Sequence, residues 1–183
     1  MVVEVPGSVR FGGRHPDVVA RGCDPAVSAA LSDLRRGDPL AAARAAVRRA
    51  LPRPWDGLGA DGSLVALDRF LLGGEGDCRP RAALLALALG RVGVDATVVR
   101  LPSADGDHWA VLALGRLWDD GGAVGWDGQV QAAKSASCPR RAAGGLRVAL
   151  NGRARSLTSA SMVSSPSRSS VIVPLRAVER ATK

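Results

Sequence analysis

A cysteine, a histidine and two adjacent aspartates stand in an order that could perform nucleophilic chemistry. They lie between Gly73 and Asp120, in the run GGEGDCRPRAALLALALGRVGVDATVVRLPSADGDHWAVLALGRLWDD, as Cys78, His108 and Asp119/Asp120. A thiol attacks a carbonyl as its thiolate, so a catalytic cysteine must fall below its free pKa of roughly 8.5. The partial positive charge of a helix N-terminus lowers it, and so does a neighbouring imidazolium. A carboxylate behind the imidazole then fixes its tautomer.

The elements around these residues are those such a site needs. Asp77 is a good N-cap, and Pro80 is tolerated only in the first turn of a helix. Ala82 to Leu89 are strong helix formers, with Gly90 and Gly93 as stop signals. This places the Cys78 thiol in the first helical turn and predicts a lowered pKa. Asp95 to Leu101 reads as a strand, Pro102 to Asp107 as a hairpin loop, and Trp109 to Leu114 as the next strand. Gly115-Arg116 reads as a tight turn before a third strand that starts at Leu117-Trp118. Residues opposed on neighbouring strands lie within about 5.5 Å, close enough for a His–Asp pair. Side chains alternate along a strand, so Asp119 and Asp120 cannot both face His108. Asp107 reads as solvated. The Gly73–Gly76 turn is either the floor of the thiol site, with the Cys78 amide as an oxyanion donor, or a plain connection.

Upstream, Pro25 to Arg36 reads as a helix with Val27, Ala30, Leu31 and Leu34 on one face. Asp38-Pro39 opens a second helix running to Leu51. Its Arg44, Arg48 and Arg49 read as a solvated face. Ser63 to Leu72 reads as a third helix, with Leu64, Leu67, Phe70 and Leu71 as its stripe. Val2 to Val5 reads as a short strand, His15 as a solvated loop residue, and Trp55 as a cap on the edge of the core.

A cysteine opening a helix, then glycine and a strand, then His-Trp leading a strand that ends at aspartate, resembles the core of the transglutaminase-like superfamily. The compact spacing and Gly115 resemble the leader peptidases of lasso-peptide biosynthesis within it. The family's His-Ala-Trp is His108-Trp109-Ala110 here. The resemblance implies an α+β, papain-like core, with the Cys-bearing helix packed on a small antiparallel sheet. It also implies a catalytic triad of Cys78, His108 and Asp120, the last chosen on the family spacing alone. The chemistry implied is acyl transfer through a thioester to water or to an amine, as in a cysteine peptidase, an amidase or a transglutaminase, with a peptide or protein as substrate.

Composition bounds the rest. The chain has 183 residues, 46% of them hydrophobic, which is enough for a core. Aromatics are only 3% and tyrosine is absent, so that core must be built from Leu, Val and Ala. Cys23, Cys78 and Cys138 are an odd, widely spaced set, which argues for free thiols rather than a disulfide framework. With no C-x-x-C or H-x-x-x-H pair, neither a metal nor another cofactor is expected. No apolar run approaches the roughly 18 residues of a membrane span, and no secretory signal is visible, so a cytoplasmic protein is expected. The first 133 residues carry 15 Lys/Arg against 16 acids, and the remainder ten against one, so the net charge of +8 belongs to the C-terminal third.

The expected organisation is an N-terminal segment (1–20), a transglutaminase-like domain (21–133) and a basic extension (134–183). Short strands are expected at Leu146 to Leu150 and Val171 to Leu175. Two other readings compete with the enzyme. One is a catalytically inactive transglutaminase-like module that binds a peptide or a partner protein. The other is a nucleic-acid binder working through the basic tail.

Overall fold

The structure is a computed structural model, described over residues 1–7, 16–34, 37–55, 63–104 and 106–138. His15, most of the basic extension and its two expected strands lie outside the described residues.

The elements are β1 (Val2–Val5), β2 (Asp17–Arg21), α1 (Pro25–Ala30), α2 (Pro39–Ala50), β3 (Leu64–Ala66), α3 (Leu67–Gly73), α4 (Cys78–Arg91), β4 (Ala96–Leu101), β5 (His108–Ala113), β6 (Arg116–Trp118), β7 (Ala123–Val124), β8 (Gln131–Ala132) and β9 (Lys134–Ala136). They form a mixed α+β fold with two small sheets, ordered β3-β2-β1-β9 and β7-β6-β5-β4-β8. The second sheet is antiparallel throughout; the first has one parallel pair, β2 with β3.

Helix α4 is the centre of the molecule. Every residue from Ala82 to Leu89 is buried. A helix that is apolar all round must be covered all round, and α4 touches β1 and β2 of one sheet, β4 and β5 of the other, and α2 and α3. Asp77 caps it by accepting from the Arg79 amide at 2.9 Å. Its far end closes on Gly93, whose φ of 83° is left-handed. There the Val94 amide returns to the Leu89 carbonyl (2.9 Å) and the Gly93 amide to that of Gly90 (3.2 Å), the pairing that satisfies last-turn carbonyls.

Three local readings need correction. Helix α1 stops at Ala30 rather than Arg36, because both the Ser32 hydroxyl (2.9 Å) and its amide (3.2 Å) turn back onto the Ala29 carbonyl. The helix expected from Ser63 begins only at Leu67. Leu64–Ala66 are drawn into parallel pairing with β2, in the register Asp17↔Leu64 to Val19↔Ala66, so the sheet ladder overrides local pattern. Leu64 is accordingly 60% exposed, and the buried stripe of α3 is Leu67 and Phe70. Trp55 packs edge-on against Phe70, with centroids 5.1 Å apart.

The third correction is the turn between β5 and β6. It is Leu114-Gly115 rather than Gly115-Arg116, with Ala113↔Arg116 closing the hairpin. Both turn residues have positive φ, 52° and 71°, as the commonest two-residue hairpin turn requires. Leucine is strained there and asparagine is not. Leu114→Asn should stabilise the fold by about 1 kcal/mol, read as a higher urea midpoint with unchanged slope. Leu114 is 67% exposed, so no core contact offsets that gain.

Residues 1–20 supply β1 and most of β2, with Val3, Val5, Val18 and Ala20 in the main core. After β8 pairs with β4, the chain crosses at Ala133 and β9 pairs with β1, Glu4↔Lys134 to Val2↔Ala136. No described helix is long and apolar enough to cross a membrane.

Candidate active site

Cys78 is the first residue of α4 and is half-buried. The backbone N–H of Trp109, the second residue of β5, lies near enough to its thiol to favour the thiolate. Burial pushes the Cys78 pKa up to about 11, and the Asp77 carboxylate adds to the rise. The Trp109 N–H, the Arg79 charge and the residue's own N–H oppose it without prevailing. The expectation of a lowered thiol pKa is therefore corrected. The helix N-terminus is present, but desolvation of the thiolate outweighs it.

His108 opens β5, opposite Leu101. Its Nε2 lies 3.3 Å from Asp119 Oδ2. The other oxygen of Asp119 accepts from the amides of Gly121 and Gly122, each at 2.8 Å, while the Asp119 amide donates to the Gly122 carbonyl at 2.9 Å. The carboxylate is thus locked into a tight turn, with one oxygen left for the imidazole.

The carboxylate at His108 is Asp119 and not Asp120. Alternation gives the reason. Leu117 packs into the small cluster on the outer face of the sheet, with Val99, Leu101 and Ala110, whereas Trp118 packs against the main core. Continuing that phase sends Asp119 outward and Asp120 toward α4, where Asp120 Oδ2 takes Arg81 Nη1 at 2.6 Å. The same alternation places His108 with Ala110 and Leu112, on the face opposite Trp109, Val111 and Ala113. The structure therefore brings His108 and Asp119 together, and brings Cys78 against the next residue of the same strand.

Several polar residues prove to be more tightly held than their sequence context indicates. Asp107, read as solvated, has a fully buried side chain paired with Arg100 Nη2 at 2.6 Å. Arg44 and Arg48, read as a solvated face, reach the loop after β6. Arg48 Nη1 donates to the Asp120 carbonyl (2.5 Å), Arg44 Nε to the same oxygen (3.4 Å), and Arg44 Nη2 to the Gly121 carbonyl. Arg49 remains exposed. Arg79 is only 2% exposed; its guanidinium holds both oxygens of Asp77 and donates to the Pro16 carbonyl at 2.9 Å. In the Gly73–Gly76 turn, Gly74 takes a left-handed φ of 65° and Glu75 bridges to Arg53. A Cβ at Gly76 would meet Leu51 and Pro80 at 3.1 Å, so the turn packs close beneath the start of α4.

The charged residues around Cys78 were the signal for part of this. Arg81 stands three residues after Cys78, on the same helical face, and a basic residue there needs an acceptor close to the thiol. The chain matches no family model, no curated protein and no solved structure.

Proposed function

We propose that the chain is a cysteine-dependent acyl-transfer enzyme acting on peptide or protein amides, with the transglutaminase-like resemblance supplying the class. Cys78 is the nucleophile, His108 the proton carrier and Asp119 the orienting acid. The observation that carries the reading is the His108–Asp119 pair, with Asp119 locked by two amides and the thiol held one residue along the strand. Nε2 is engaged by Asp119, so Nδ1 is the nitrogen available to the thiol. His108 is the first residue of β5, on the sheet face opposite Trp109, and its side chain is 40% exposed, so the mechanism requires the imidazole to turn over the open end of the strand to meet the sulfur.

The thiol is neutral at rest, so deprotonation accompanies attack. Sγ bonds to the amide carbonyl carbon as its proton passes to Nδ1. The C–N bond breaks, the amine leaves with that proton, and a thioester remains on Cys78. Water, or an amine, then attacks the thioester with His108 as base and releases the acyl product. Water as acceptor makes the enzyme a peptidase or amidase, and the resemblance to leader peptidases favours it.

The test is turnover of a peptide-amide library, with intact-mass detection of the acyl-enzyme. Cys78→Ala should abolish both while leaving the melting temperature within a few degrees of wild type. Asp119→Asn should lower kcat by roughly 10²–10⁴, the range expected when the orienting acid of such a triad is lost. Turnover surviving Cys78→Ala would overturn the mechanism.

A second reading rests on one observation of its own. The burial that raises Cys78 to about 11 suits an inactive module that binds peptides with the same surface. Peptide binding without acylation, unchanged by Cys78→Ala, selects that reading.

A further inference from the structure

Arg81 makes four contacts with a single guanidinium. Nη1 pairs with Asp120 Oδ2 at 2.6 Å. Nε donates to the Gly76 carbonyl at 2.8 Å, two residues before the thiol. Nη2 donates to the Leu51 carbonyl at 2.6 Å and reaches that of Arg53 at 3.3 Å. A planar fork with five N–H donors can join such divergent acceptors, and a lysine ammonium cannot match it. The side chains of Arg81 and Asp120 are 19% and 20% exposed, so the pair is shielded more than a surface ion pair.

The acceptors belong to three parts of the fold. Gly76 leads into α4 and Cys78. Leu51 and Arg53 follow α2. Asp120 sits inside the turn in which Gly121 and Gly122 hold the Asp119 carboxylate. Arg44 and Arg48 grip the carbonyls of that same turn from α2, but neither contacts the lead-in to Cys78.

We propose that Arg81 is the positioning residue of the site: it fixes the Asp119 turn to the start of α4, and so sets the carboxylate that orients His108 relative to the Cys78 thiol. The assignment rests on the reading of His108–Asp119 as the proton pair, and it gives Asp120 a role, as the handle by which the turn is held. Arg81 does not touch the reacting atoms. It acts through Asp120 and the backbone of the turn, with Arg44 and Arg48 as secondary braces.

The test is amide hydrogen exchange, resolved by residue with NMR, on the full chain. The reporters are the Gly121 and Gly122 amides, which donate to Asp119, with the α4 amides of Leu84 to Leu89 as the reference for global folding. Arg81→Gln should speed exchange at Gly121 and Gly122 about tenfold while the α4 amides stay protected, the size expected for losing a charge-assisted bond. Asp120→Asn should do the same, and the double variant should add little to either. Arg81→Lys should restore only part of the protection.

Unchanged exchange at Gly121 and Gly122 in both single variants would overturn the assignment. If Arg81→Gln also loses α4 protection, Asp120→Asn decides alone, since it leaves the three backbone bonds of Arg81 in place. The underlying reading fails separately: it is lost if His108→Ala leaves the rate of Cys78 alkylation unchanged at every pH, whatever the exchange data show.

Discussion

Asp77→Ala should destabilise the protein more than any other single surface-adjacent change, by about 3–5 kcal/mol. Asp77 does two things at once. Its Oδ1 caps α4 through the Arg79 amide at 2.9 Å, a contact whose loss costs about 1 kcal/mol by itself. Both its oxygens also neutralise the guanidinium of Arg79, which is 2% exposed. Alanine leaves that cation in the protein with the Pro16 carbonyl as its remaining acceptor among the contacts described above. An uncompensated buried charge is the dominant cost, and it is large against a total stability of about 5–15 kcal/mol.

Urea unfolding followed by circular dichroism gives the number. Replacing both partners, as in Asp77→Ala with Arg79→Met, should recover most of the loss, because an apolar side chain of similar length needs no counter-ion. A single variant within 1 kcal/mol of wild type would show that Arg79 finds another partner or reaches water.

The second large effect concerns Cys78 alkylation. With its pKa at about 11, Cys78 at pH 7 should be ionised to roughly one part in 10⁴, against a few per cent for an ordinary thiol near 8.5. Iodoacetamide should therefore modify Cys78 some hundreds of times more slowly than an unperturbed cysteine, and its rate should keep rising with pH until about 11. Cys138, whose pKa is lowered mainly by its hydrogen bond with Cys23, should react ahead of it; Cys23 itself is raised by that same contact. Peptide mass spectrometry resolves the three sites. Removing the Asp77 charge should speed Cys78, since that carboxylate is one cause of its high pKa. Fast labelling of Cys78 at neutral pH would mean that the thiolate is stabilised by a group that outweighs burial.

The same shift has a consequence for stability. The Cys78 pKa is raised in the folded state, so folding favours the protonated thiol. That contribution is fully present below the ordinary thiol value and is lost as pH rises through about 11. Cys78→Ala removes this alkaline component of unfolding along with the chemistry.

The legible and illegible parts of the fold divide along physical lines. Helix α4 could be read almost to the residue, because its start and stop are local: Asp77 to cap, Pro80 in the first turn, Gly93 to close. Strands β4 and β5 were legible from their apolar runs around a polar loop. Of the first sheet only β1, Val2–Val5, was legible. Pairing of β2 with β3, or β1 with β9, joins residues far apart in the chain, and nothing local in Leu64–Ala66 or Lys134–Ala136 marks a partner. The site divides in the same way. That Asp119 and Asp120 could not both face His108 followed from alternation. Which one does so depends on the phase of β6, set by Trp118 entering the core and by Arg81 waiting on α4. The N-terminal position of Cys78 was legible, but its desolvation was not, since burial is a property of everything packed above it.

The pairing of β9 with β1 also bears on the order in which the molecule assembles. Lys134–Ala136 is the last described strand and Val2–Glu4 the first, joined edge to edge. A chain emerging from a ribosome can complete α4 and the β4–β5 hairpin from neighbours already made, while one edge of β1 stays open until nearly all of the described chain has appeared. Contacts of such long sequence separation form slowly, and an open strand edge is where chains pair with one another instead of with themselves. The hazard in making this protein lies in that interval, and a shortened form keeps β1 covered only if it retains the residues through Ala136.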